Sequence, residues 1–74
     1  MNQELSEREK QILRLIAAGL SNKEIACALS IAEPTVENHI HKIYRKLNIS
    51  NRSRATAYAF QNGIAISNQA KSDW

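Results

Sequence analysis

The sequence predicts an all-α fold of four helices, and three observations carry that reading. Two segments, SERE at 6–9 and SNKE at 21–24, place a serine three residues before a glutamate, the pattern of a capping box. Apolar residues recur every three or four positions, as on one face of a helix, with no alternating run of strand type. Gly19, Asn48 and Gly63 follow these apolar stretches as stop signals, and Pro34 sits where a first helical turn tolerates it.

Taken in order, helix 1 spans about 6–18. Ser6 caps it, Ile12, Leu15, Ile16 and Ala17 supply its apolar stripe, and Gly19 closes it by taking a left-handed conformation. Helix 2 spans about 22–29, capped by Ser21, with Ile25, Ala26 and Leu29 as a short stripe. Four residues, 30–33, precede Pro34, and helix 3 begins near Glu33 or Pro34, so the turn between helices 2 and 3 is three to four residues. Helix 3 spans about 34–47 and stops at Asn48. Helix 4 spans about 52–62 and ends at Gly63. Residues 64–74 are read as a tail, polar after Ile66, with Trp74 expected to be disordered. Two short helices joined by so tight a turn match the helix-turn-helix unit.

The totals narrow the function classes. A chain of 74 residues makes a single small domain over 1–74 with a thin core, so a partner subunit would add to its stability. An apolar fraction of 43% with 23% charged residues suits a folded chain rather than a disordered one. Cys27 is the single cysteine, which excludes an intrachain disulfide and a cysteine-based zinc finger and favours a reducing, cytoplasmic setting. Residues 1–11 carry Glu4, Glu7 and Glu9 and no apolar block, unlike a secretory signal, and no apolar run reaches membrane-spanning length. A net charge of +3 points to a polyanionic partner. No Ser/His/Asp arrangement, glycine-rich phosphate loop or paired carboxylate is present, so neither an enzyme nor a cofactor is expected. Glu37 and His41 stand four apart on one helix face, but two ligands without a third do not make a zinc site.

Helix 3 carries the functional signal. At about 100° per residue, Val36, Ile40, Ile43 and Leu47 share one narrow arc, flanked by His39 and Tyr44. Glu37, Asn38, His41, Lys42 and Arg45 fill the opposite arc. A merely solvated face usually consists of Glu, Lys and Arg. This one adds Asn and His, poor helix formers that can bond base edges; Asn, for one, pairs with adenine through two hydrogen bonds. Lys42, Arg45 and Lys46 sit where they could reach phosphates, and Ser21, Asn22 and Lys23 open helix 2, whose N-terminus suits an anion.

Residues 5–59 resemble the LuxR/FixJ-type helix-turn-helix domain of bacterial transcription regulators. The resemblance rests on Leu5-Ser6, Arg8-Glu9, Gly19, Ser21-Asn22-Lys23-Glu24-Ile25-Ala26, Leu29, Ile31, Thr35-Val36, His39, Lys46-Leu47, Arg52 and Ala55 together. It implies binding to double-stranded promoter DNA as a homodimer formed partly through helix 4. It places base-reading positions on Glu37, Asn38 and His41, and phosphate contacts on Ser21, Asn22, Lys23, Thr35, Lys42 and Arg45 or Lys46. On helix 4, Ala55 and Ala59 share one side while Thr56 and Phe60 lie on another, which is the expected dimer face. Two residues depart from the family pattern. Glu37 stands where Lys or Arg is frequent; it repels phosphate but can accept from a cytosine amino group, which weakens non-specific binding and sharpens base preference. Ala32 stands where a capping Ser or Thr is common. A competing function is a module that dimerises with a full-length regulator and antagonises it. A third, a fragment of a sigma-factor-like region, would contact RNA polymerase.

Overall fold

A computed structural model of the chain describes residues 5–65. Within them run four helices: α1 (Glu7–Ala17), α2 (Asn22–Leu29), α3 (Glu33–Leu47) and α4 (Arg52–Gln61). No strand occurs among the described residues. Trp74 and the rest of the polar tail lie outside them.

Both capping boxes form. Ser6 Oγ accepts from the Glu9 N–H at 3.1 Å while Glu9 Oε1 accepts from the Ser6 N–H at 2.9 Å. Ser21 and Glu24 repeat the exchange at 3.1 and 2.8 Å. Asn51 caps α4 through a 2.9 Å bond from the Arg54 N–H. Ala32 precedes α3 in an extended conformation and offers no side-chain cap, as its methyl group dictates.

All four helices stop by one device, the Schellman motif, in which two N–H groups beyond the helix reach back to its last carbonyls. The paired bonds are Leu20 N–H to Leu15 O and Gly19 N–H to Ile16 O; Ile31 to Ala26 and Ser30 to Cys27; Ile49 to Tyr44 and Asn48 to Arg45; Ile64 to Ala59 and Gly63 to Phe60. The turning residue is left-handed each time, with φ of +96° at Gly19, +59° at Ser30, +56° at Asn48 and +72° at Gly63. Each is followed by an apolar residue, Leu20, Ile31, Ile49 or Ile64, that packs on the core. The sequence reading anticipates three of these stops. It misses Ser30, because serine rarely takes this conformation.

The core gathers on α1, which packs against α2, α3 and α4, while α2 also packs against α3. Ile12, Leu13, Ile16, Ile25, Val36, Ile40, Ile43, Ala55 and Ala59 are buried. Three positions on α1 differ from the expected stripe. Leu13 is fully buried, while Leu15 and Ala17 are only half-buried. The reason is that α1 faces three helices, so its apolar arc is wider than one stripe. Ile64 and Ala65 are not tail: their N–H groups bond Ala59 O at 2.8 and 3.0 Å, and Arg14 Nε donates to Ile64 O at 3.0 Å.

Candidate nucleic-acid interface

α3 divides as its sequence requires. Val36, Ile40 and Ile43 are buried, and His39, Tyr44, Lys46 and Leu47 are half-buried at the margins. Glu33, Pro34, Thr35, Glu37, Asn38, His41, Lys42 and Arg45 are exposed. The three expected base-reading residues therefore stand together on the open arc, Glu37 and Asn38 adjacent and His41 about one turn further along. The arc is graded in charge, with Glu33 and Glu37 toward its N-terminus and Lys42 and Arg45 toward its C-terminus. That order complements the helix dipole, so charges suited to a ligand cost the isolated helix nothing.

Glu33 opens α3, and the turn before it is three residues, Ser30 to Ala32, within the three to four that the sequence predicts. It fixes α3 against α2 through Ile31, which packs on the core.

At the start of α2, Ser21 and Lys23 are exposed and Asn22 is half-buried. The capping box satisfies the N–H groups of Ser21 and Glu24. Those of Asn22 and Lys23 fall in the first helical turn, where no intrahelical acceptor exists. Ser21 uses its hydroxyl oxygen as an acceptor and keeps its hydroxyl proton for donation. Asn22 Oδ1 accepts from Arg52 Nη1 at 3.1 Å, and Arg52 Nη2 donates to Leu20 O.

Lys46 is placed differently from Lys42 and Arg45. Its Nζ lies 2.7 Å from Glu9 Oε1, and Glu9 is only 4% exposed. Burial pushes the Glu9 carboxyl up, but the Lys46 ammonium and the N–H and hydroxyl of Ser6 outweigh it, and the net shift is below the ordinary carboxylate value. Lys46 thus ties α3 to α1. Of the pair Arg45 and Lys46, the structure leaves Arg45 as the solvent-facing cation.

On α4, Ala55 and Ala59 are buried, Thr56 is half-buried, and Phe60 is 38% exposed. Cys27 is an exposed thiol. Among the described residues no group of three or more His, Cys, Asp or Glu side chains could hold a metal ion. No described helix is long and apolar enough to cross a membrane.

Sequence reasoning missed a role for Arg52 and the second role of Glu9. A signal existed for the first: Arg52 and Arg54 both fall in the first turn of α4, where the helix dipole disfavours cations.

With this geometry in view, comparison with known proteins is decisive. The profile of the family described as bacterial regulatory proteins, luxR family, matches residues 3–59. The chain belongs to that family. The luxR-family domain is a DNA-binding helix-turn-helix module of bacterial transcription regulation. Response regulator protein VraR of Staphylococcus aureus (strain Mu3 / ATCC 700698) is 48% identical over 60 residues, covering 81% of this chain and 29% of the relative. VraR of Staphylococcus epidermidis matches at the same 48% over 60 residues. A crystal structure of the response regulator ChrA of a heme-sensing two-component system superposes with a TM-score of 0.79 at 42% identity, over 86% of this chain and 32% of that one. The chain thus matches about a third or less of the length of these luxR-family relatives.

Proposed function

We propose that this luxR-family domain recognises a specific DNA sequence by laying the exposed arc of α3 in the major groove. The observation that carries the proposal is the sorting of α3, in which Val36, Ile40 and Ile43 are buried while Glu37, Asn38 and His41 face outward together. Asn38 is suited to adenine and Glu37 to the cytosine amino group, and His41 reaches a third base edge. Ser21, Asn22 and Lys23 at the start of α2, with Thr35, Lys42 and Arg45 on α3, hold phosphates on either side and set the register. Lys46 serves the fold through Glu9, and the phosphate role falls to Arg45.

The domain acts as a homodimer on two half-sites, with Thr56 and Phe60 of α4 at the contact. Phe60 is the large apolar side chain that this fold leaves exposed among its described residues. On this reading the domain is either a small stand-alone regulator or the output part of a longer one, and a regulator protein or RNA polymerase is a further partner.

Selection of bound duplexes from a random DNA pool with the purified chain tests the proposal. Enrichment of a two-half-site sequence is the expected result. Failure to retard any duplex at low salt, with tight association to a full-length regulator, would instead support the antagonist reading.

A further inference from the structure

We infer that Arg52 of α4 is a positioning residue for DNA binding: it holds the first turn of α2 in place and sets which end of the Asn22 amide faces the DNA. The inference rests on the proposed phosphate role of that turn.

Arg52 sits in a local conflict. Arg52 is the first residue of α4, and Arg54 follows in the same turn, with no acidic residue there to offset them. A cation at a helix N-terminus opposes the dipole, and natural sequences accept such conflicts where another requirement wins. The structure shows the requirement. The two ends of the Arg52 fork go to two acceptors of another segment, Leu20 O and Asn22 Oδ1, on either side of Ser21. Leu20 is the residue whose N–H closes the α1 stop, and Asn22 is the first residue of α2. One planar guanidinium therefore spans the joint between α1 and α2, a geometry that lysine, a point donor, cannot reproduce.

The chemistry of the amide gives this joint a direction. A carboxamide has one acceptor end and one donor end. Because Arg52 can only donate, it must meet Oδ1, and Nδ2 is turned away from it. A phosphate oxygen accepts and never donates, so it needs Nδ2. An Asn22 released from Arg52 would present either end, and its hydrogen bond would lose both alignment and entropy advantage. Arg52 also links α4, the helix bearing Thr56 and Phe60, to the helix that grips phosphate, so a change at the dimer face has a short covalent and hydrogen-bonded path to the DNA side.

The test is DNA titration of Arg52→Lys, Asn22→Ala and the double variant, on the selected duplex and on a scrambled one, across a salt series. Arg52→Lys keeps the charge, so the salt slope should hold. Affinity should nonetheless fall about tenfold on both duplexes, the size of one lost hydrogen bond to a charged group. The double variant should bind no more weakly than Asn22→Ala alone. Asn22→Asp separates binding from folding: it strengthens the bond to Arg52 and removes the donor, so thermal stability should hold or rise while DNA affinity falls. Lys23→Ala is the control for the underlying reading. If Lys23→Ala weakens binding on both duplexes but Arg52→Lys does not, or if the Arg52 and Asn22 losses simply add, the positioning role is wrong. If Lys23→Ala leaves binding unchanged, the phosphate role of the α2 start is itself wrong.

Discussion

Replacing Glu9 by glutamine isolates the link between α1 and α3. Glutamine retains the Oε1 acceptor, so the Ser6 N–H stays capped. What is lost is the charge facing Lys46 at 2.7 Å. The Glu9 side chain is 6% exposed and the Lys46 side chain 32% exposed, which places the pair between two limits. Exposed pairs contribute about 0–1 kcal/mol, and breaking a fully buried one costs about 3–5 kcal/mol. Solvent at the lysine end screens the charge left behind, so Glu9→Gln should cost about 1–3 kcal/mol. Glu9→Ala removes the reciprocal cap as well and should cost about 1 kcal/mol more. For a domain of this size each kcal/mol lowers Tm by roughly 4–8 °C. The sign with pH follows from the lowered carboxyl. A carboxylate held down in the folded state stabilises above its unfolded pKa, and that stabilisation is lost as pH falls through the folded value. Urea unfolding of wild type, Glu9→Gln, Lys46→Met and the double variant at pH 7 and through the acid range measures this. The wild type should lose stability on acidification more steeply than Glu9→Gln, and the cycle at pH 7 should show coupling of at least about 1 kcal/mol. Coupling near zero, or identical acid profiles, would refute the assigned role. DNA binding by Lys46→Met should keep the wild-type salt slope, because its ammonium is not counted among the phosphate contacts.

Three further outcomes follow from the caps and the α4 surface. Ala32→Ser should raise stability by about 0.5–1 kcal/mol in chemical denaturation, at the low end because Pro34 has no N–H and the Thr35 N–H already meets Ala32 O at 3.0 Å. Ser30→Gly should raise stability by about 0.5–1 kcal/mol, the relief of a left-handed serine at φ +59° less the chain entropy of glycine; a loss of stability would show that Ser30 makes compensating contacts. Phe60→Glu should abolish dimerisation in sedimentation equilibrium while shifting Tm of the monomer by no more than a few degrees, since Phe60 is 38% exposed; unchanged self-association would exclude this face.

Much of the fold was legible because each helix announces its own ends. Ser6 with Glu9 and Ser21 with Glu24 are local chemistry, readable over four residues, and both boxes form where the sequence places them. The polar arc of α3 was legible for the same reason: period alone separates Val36, Ile40 and Ile43 from Glu37, Asn38 and His41. The residues that escaped are those whose partners lie far along the chain. Lys46 reads as another cation beside Arg45 until α1 brings Glu9 to it, 37 residues away. Arg52 reads as a poorly placed charge until Asn22 arrives from 30 residues away. Leu13 required knowing that α1 meets three neighbours. Ile64 and Ala65 required knowing that the stop at Gly63 folds back onto Ala59.

Whether the open arc of α3 reads bases is decided by a thermodynamic cycle between side chain and base pair. Asn38→Ala would be titrated against the selected duplex and against duplexes changed one base pair at a time within a half-site. A base-reading Asn38 should couple by about 1–3 kcal/mol to one base pair, with near-zero coupling elsewhere. An Asn38→Ala loss of the same size on every duplex, scrambled ones included, would contradict base reading.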